Sequence, residues 1–251
     1  MLRNDLSKVE YWNEFYQEEI QNYNDHKDQG EIWFGKINLK KIIGWIEKTN
    51  MINYESFILD IGTGNGVLLI ELFKKGFINL YGLDYSVKSI ILAESLAKDE
   101  DTNISYNHCD FLDFDNLQNK YKNILFDLCI DKGTFDAITV NKSKEEACII
   151  FQDDKIDSYI YSLQNILKQE GLFFIISCNW TRKELLAIFD KTFRMIEDIS
   201  ASLFKFGSQL GNTITILIFK NVKEGLPLVL LKPESFIPYY STFFIYIHRL
   251  I

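Results

Sequence analysis

The stretch Asp60-Ile61-Gly62-Thr63-Gly64-Asn65-Gly66 has the residue types and spacing to hold a ligand. Glycine accepts positive φ and lets a ligand approach the backbone, and a helix starting just beyond offers unpaired N–H groups. About 20 residues further on, Asp84 closes a second short apolar run, where a carboxylate can accept from both hydroxyls of a ribose. The glycines follow the spacing Gly62-x-Gly64-x-Gly66. The dinucleotide fingerprint is G-x-G-x-x-G and rests a pyrophosphate on the helix N-terminus, so an NAD-linked dehydrogenase is disfavoured. A third group is His108-Cys109-Asp110-Phe111. There Asp110 can accept from an exocyclic amine and Phe111 can pack on a base, or the pair can serve as turn cap and core.

These residues need a scaffold, and the hydrophobic pattern supplies one. Phe57 to Ile61 leads into the loop and Val67 to Phe73 follows it as a helix. Strand-length runs then alternate with helical patterns: Leu80 to Leu83 with Val87 to Lys98, Ile104 to Cys109, Ile124 to Ile130 with Ile156 to Leu167, and Leu172 to Ser177 with Arg182 to Phe189. That alternation predicts βαβ units and a mostly parallel, doubly wound α/β sheet covered on both faces. Ligands bind such sheets at the carboxyl ends of the strands. Gly171 is placed to stop the helix that ends near Leu167. Phe193 to Ile199 and Thr213 to Phe219 are expected to close the sheet as a hairpin-like pair, with one antiparallel strand at its edge.

Ahead of this core, Trp12, Phe15, Tyr16, Ile20 and Tyr23 recur at helical spacing, an aromatic stripe expected to serve packing. Gly30-Glu31-Ile32-Trp33-Phe34-Gly35 then frames two aromatics with glycines, marking a bend or a close backbone approach. Residues 1–50 are thus expected to be a helical segment packing on a 51–220 core. All three prolines follow Lys220, so 221–251 is set apart as a C-terminal tail; its apolar end from Tyr239 is too short to span a bilayer.

The formal charge of -8 argues against a broad grip on nucleic acid, and no basic stripe with interleaved aromatics occurs, so no direct nucleic-acid binding is expected. Four cysteines without CxxC spacing and three scattered histidines predict reduced thiols and no metal site. The N-terminus lacks an apolar signal segment and no run reaches the ~20 apolar residues of a spanning helix. The expectation is a cytoplasmic, soluble protein without a membrane span.

The glycine loop with Asp60 before it and Asp84 after it resembles motif I of the class I S-adenosylmethionine-dependent methyltransferases. The resemblance narrows on four segments: Glu31-Ile32-Trp33-Phe34-Gly35, Leu59 to Gly66, Ile130-Asp131-Lys132-Gly133-Thr134-Phe135-Asp136-Ala137-Ile138, and Ser177-Cys178-Asn179-Trp180-Thr181. Together they are similar to the lysine methyltransferases that act on translation elongation factor 1-alpha, from about Tyr11 to Phe219. The run Asp131 to Asp136 is the most specific of them. Lys142 to Asp154 and the tail have no clear counterpart.

This resemblance implies a Rossmann-like seven-stranded sheet with one antiparallel strand, S-adenosyl-L-methionine as cofactor, and a protein substrate methylated on lysine. It implies that the loop holds the cofactor's amino-acid portion and Asp84 its ribose, and with the residue readings the expected cofactor cradle is Trp33, Gly35, Asp60, Gly62, Gly64, Gly66, Asp84, Tyr85, Asp110 and Phe111. Methyl transfer to an amine is an in-line displacement, so it needs alignment and exclusion of water rather than a covalent nucleophile. Asp131 is the candidate for orienting the amine, with cofactor binding and turn capping as the alternatives. Lys132, Thr134, Phe135, Asp136 and Trp180 are candidates for substrate binding. Lys132 also suits pairing with a local carboxylate, Asp136 a helix cap, and the aromatics the core. A non-catalytic cofactor-binding protein, or an enzyme acting on a small molecule or nucleic acid, would share the cradle and differ at the acceptor mouth.

Overall fold

The computed structural model describes residues 6–122, 124–140, 154–200, 205–206, 209–210 and 214–222. The irregular stretch expected from Lys142 lies outside them up to 153, as does the tail from 223 on.

Two helices come first, α1 (Val9–His26) and α2 (Gly35–Lys48). Then follow β1 (Phe57–Ile61), α3 (Val67–Lys74), β2 (Asn79–Asp84), α4 (Val87–Asp99), β3 (Ser105–His108), α5 (Phe114–Lys120) and β4 (Phe126–Lys132). The second half holds α6 (Thr134–Ile138), α7 (Asp154–Ile166), β5 (Leu167–Ser177), α8 (Arg182–Phe189), β6 (Phe193–Asp198), β7 (Lys205–Phe206), β8 (Gln209–Leu210) and β9 (Thr215–Asn221). Seven strands form one sheet in the order β3-β2-β1-β4-β5-β9-β6, while β7 and β8 pair separately.

Side chains alternate across the sheet because successive strand residues point to opposite faces. Ile58, Leu128, Phe174 and Ile218 face α1 to α4, whereas Leu59, Cys129, Phe173 and Phe219 face α5, α7 and α8. Both faces are thus buried, as the unbroken apolar strands require. The aromatic side of the second layer is dense: Phe135, Tyr159, Phe173 and Phe189 lie within 6.4 Å of one another, ring to ring, in the pairs that touch.

Two local expectations are corrected. The antiparallel strand is not at the edge: β9 runs between β5 and β6, antiparallel to both. Ile216, Leu217, Ile218 and Phe219 are fully buried, which an edge would not allow, whereas the more polar Phe193–Asp198 tolerates the rim. The expected β6 and β9 pairing itself is present. Gly171 does not stop α7, which ends at Ile166. It lies in β5 where the pairing steps from Phe126↔Leu167 to Leu128↔Leu172, and a Cβ there would come 2.8 Å from the Lys168 carbonyl oxygen. The glycine serves a bulge, not a helix stop.

Candidate active site

The strand order reverses at β1, whose neighbours are β2 and β4, and at the carboxyl ends of these strands lies a cavity of about 230 Å³. The floor is the glycine loop. Gly62 and Gly64 have φ of 64° and 60°. A Cβ on Gly62 would overlap Thr134 Oγ1, and one on Gly64 would lie 2.7 Å from the Tyr16 hydroxyl. Both positions require glycine on conformational and steric grounds. The loop is tied to its surroundings by Thr63 N–H donating to the Leu83 carbonyl (2.8 Å) and Ser89 Oγ donating to the Gly64 carbonyl (2.8 Å).

Asp84 stands in the cavity wall at the end of β2. Its Oδ2 accepts from Gly64 N (3.1 Å) and its Oδ1 from Ser86 N (2.9 Å). A carboxylate has about four acceptor positions, so capacity remains for two hydroxyls of a ligand. Burial pushes this carboxyl above its ordinary range, opposed by the two N–H groups and by the Lys132 charge. Tyr85, Asp110 and Phe111 complete this side, and Cys109 N–H donating to the Asp84 carbonyl (2.9 Å) fixes their approach.

Opposite, Lys132 and Thr134 line the cavity, and Thr134 Oγ1 donates to the Ile61 carbonyl at 2.8 Å. That bond joins the turn after β4 to the end of β1. Nine of the sixteen residues singled out from sequence therefore line one cavity: Trp33, Gly62, Gly64, Asp84, Tyr85, Asp110, Phe111, Lys132 and Thr134.

The other seven stand elsewhere. Asp131 is fully buried outside the wall, where it accepts from Thr134 N (2.9 Å), Phe135 N (3.0 Å) and the Tyr159 hydroxyl (2.6 Å). Of the three expectations for it, the turn cap is the one its hydrogen bonds fill, and the orienting of an amine is corrected. Burial, with the Asp136 charge adding, pushes its pKa up to about 7 against these hydrogen bonds. Asp136 accepts from Ser177 Oγ and Cys178 N (2.8 Å), tying α6 to the end of β5. Trp180 is buried with its Nε1 donating to Thr139 Oγ1 (2.9 Å), and Phe135 is fully buried between Tyr159 and Trp180. These side chains build the wall from behind and do not face the cavity.

Asp60 sits beneath the loop, fully buried, accepting from Thr63 Oγ1 (3.1 Å) while its Oδ1 has no hydrogen-bond partner. Burial raises its pKa against the Lys132 charge. Gly66 (φ 74°) begins α3 against Tyr106, and Gly35 begins α2 outside the cavity.

Helix α1 was expected from the sequence, but not as part of the site. Its stripe does pack, yet Trp12 and Tyr16 also line the cavity, Trp12 lying 5.2 Å from Trp33 ring to ring. Their i, i+4 spacing marks one helix face, but nothing in the sequence ties that face to the glycine loop. Asn65 was also missed: its Nδ2 donates to the Gln29 (2.9 Å) and Glu31 (3.1 Å) carbonyls and holds the segment bearing Trp33 over the loop. Replacing Asn65 with Ala is expected to lower stability by about 1–2 kcal/mol in chemical denaturation, since both carbonyls lose their donor. Neither a metal-ligand cluster nor a helix long and apolar enough to cross a membrane occurs among the described residues.

A family profile described as a methyltransferase domain matches residues 53–223. EEF1A lysine methyltransferase 2 of Danio rerio is 42% identical over 217 residues, 86% of this chain and 87% of that protein. Protein-lysine N-methyltransferase EFM4 of Saccharomyces cerevisiae is 33% identical over 223 residues, 85% of this chain and 93% of that protein. Among solved structures, magnesium protoporphyrin IX methyltransferase from Synechocystis PCC 6803, with bound SAH, aligns at a TM-score of 0.57 and 14% identity. It covers 86% of this chain and 99% of its own, a likeness of fold.

Proposed function

This chain belongs to the methyltransferase family of these relatives, and on that premise we propose that it transfers a methyl group from S-adenosylmethionine to a lysine side chain of translation elongation factor 1-alpha. The observation that carries the reading is the junction of Asp84 with the glycine loop, Gly64 N to Asp84 Oδ2, at the point where strand order reverses.

The residues present suit the cofactor. Asp84 keeps acceptor capacity for a ribose diol; Gly62 and Gly64 leave backbone open to the amino-acid portion. Asp60, fully buried below the loop and outside the cavity, is an acidic group under the floor and not itself in reach of a ligand there. Phe111, Leu112 and Ile138 offer apolar cover for an adenine, with Asp110 beside them to accept from its amine. Aromatic faces at Trp12, Tyr16 and Trp33 suit a cation.

When bound, S-adenosylmethionine supplies an electrophilic methyl carbon on a sulfonium. The protein's part is to align the amine with it and keep water out. A lysine has an unperturbed pKa of ~10.4 and must release a proton to water before it attacks; desolvation on entering the cavity favours that release, whereas the aromatic faces serve the sulfonium, whose charge no deprotonation removes. Asp131 acts at one remove: by capping α6 it holds Thr134 in the wall, and so is a positioning residue. Asp136 ties the middle of the same short helix to Ser177 and Cys178. An elongation-factor substrate would place the enzyme in the cytoplasm.

The test is incubation of the purified protein and cofactor with purified elongation factor 1-alpha, followed by peptide mapping in a mass spectrometer. A lysine gaining methyl groups is the expected result. No gain, with cofactor bound, would overturn the substrate assignment.

A further inference from the structure

Tyr16 is 6% exposed, lines the cavity, and its hydroxyl has no hydrogen-bond partner in the protein among the described residues. It lies over the second glycine of the loop, so close that a Cβ on Gly64 would be 2.7 Å away. Its oxygen is not among the sealed, unpartnered polar atoms of the described residues, so it opens onto the cavity with lone pairs free for a ligand atom.

The position is held from both ends of α1. Asn13 Oδ1 accepts from Ser86 Oγ at 2.8 Å, and Ser86 N donates to Asp84, so the helix is tied to the very turn that carries the ribose carboxylate. Ten residues on, the Tyr23 hydroxyl donates to Asp99 Oδ2 at 2.7 Å, at the far end of α4. Residues 13, 16 and 23 share one helix face, being three and seven apart. Tyr16, between the two ties, is therefore fixed relative to Asp84 and Gly64 and does not ride on a free arm.

The surroundings select the ligand group. Asp84, Glu19, Asp60 and Glu31 all bear on the Tyr16 hydroxyl, and with burial they hold the phenol neutral. A wall of carboxylates favours a cation, and a neutral phenol oxygen has lone pairs to offer it. Building on the S-adenosylmethionine reading, we propose that the Tyr16 hydroxyl accepts from the ammonium of the cofactor's amino-acid portion, across Gly64. The N-terminal helix then contributes a cofactor contact to a cradle otherwise made by the strand ends.

Two probes separate this role from a structural one. S-adenosylhomocysteine carries the amino-acid portion and 5′-methylthioadenosine lacks it, while both carry the ribose and adenine. Titration calorimetry on the full chain is expected to show Tyr16→Phe weakening S-adenosylhomocysteine about tenfold, the worth of one hydrogen bond to a charged group, with 5′-methylthioadenosine unchanged. Equal weakening of both, or of neither, would overturn the assignment, as would a fall in the thermal midpoint that accompanies loss of both. Failure of the unmutated protein to bind either probe would instead defeat the cofactor reading on which this one stands.

Discussion

Replacing Asp84 with Asn is expected to weaken S-adenosylmethionine binding by about 100-fold, read by titration calorimetry, and to lower kcat/KM with it. The carboxylate is the natural acceptor for a diol in this wall, and each hydrogen bond to a charged group is worth about 1.5–3 kcal/mol. Loss of the charge weakens two such bonds, or about 3 kcal/mol together, which is two decades of affinity. The amide also turns one NH₂ toward either Gly64 N or Ser86 N, where two donors would meet. Stability is expected to fall less than affinity. The folded-state pKa of Asp84 is raised by burial, so its ionised form costs stability at neutral pH, and the neutral amide removes that cost. Affinity within threefold of the unmutated protein would overturn the ribose assignment.

The second large effect is a pH dependence of stability set by Asp131. Its pKa is pushed from 3.8 to about 7 by burial. The folded protein therefore keeps a proton that the unfolded chain releases between about pH 4 and pH 7. Stability from this group is full below the unfolded value and is lost as pH rises through the folded one. At 1.36 kcal/mol per pKa unit, the loss over that window is about 4 kcal/mol. Asp131→Asn removes this titration while leaving an oxygen to cap Thr134 and Phe135, so denaturant unfolding between pH 4 and 7 is expected to show a steeper slope for the native chain than for the variant, in which the buried Asp60, Asp84 and Asp136 still titrate. Equal slopes in the two proteins would show that the group titrates normally and that the cap is made by a carboxylate throughout that window. Methyl transfer is expected to survive in Asp131→Asn at a reduced rate, because the residue acts through the placement of Thr134.

Much of the architecture was legible because local signals agreed. Apolar runs of strand length and period-3.6 patterns placed β1 to β5 with α3, α4, α7 and α8, and the glycine loop marked the strand end where the order reverses; the short α5 and α6 were not expected. The position of β9 was not legible, since an apolar strand of seven residues carries no mark of which neighbours it will lie between. Gly171 was misread for a related reason: a glycine after an apolar stripe fits a helix stop and a bulge equally well, and only pairing with Phe126 and Leu128 chooses.

The candidate site divides in the same way. Gly62, Gly64 and Asp84 were found because their roles depend on spacing along one βαβ unit, and the fold brings them together almost by construction. Asp131, Phe135 and Asp136 were picked from one segment and Trp180 from another, both with residue types that suit chemistry, but a buried carboxylate capping a helix and one facing a substrate have the same sequence appearance. Tyr16 was passed over because an aromatic on an amphipathic helix is ordinary core until the helix is docked. The chain's own sequence thus determined the fold class, the loop and the placing of Asp84 beside it, all of which follow from short-range periodicity and spacing. Only the tertiary structure decided which side chains face the cavity, because that depends on contacts such as Asn13 with Ser86 and Thr134 with Ile61, made 73 residues apart in each case and invisible to any local pattern.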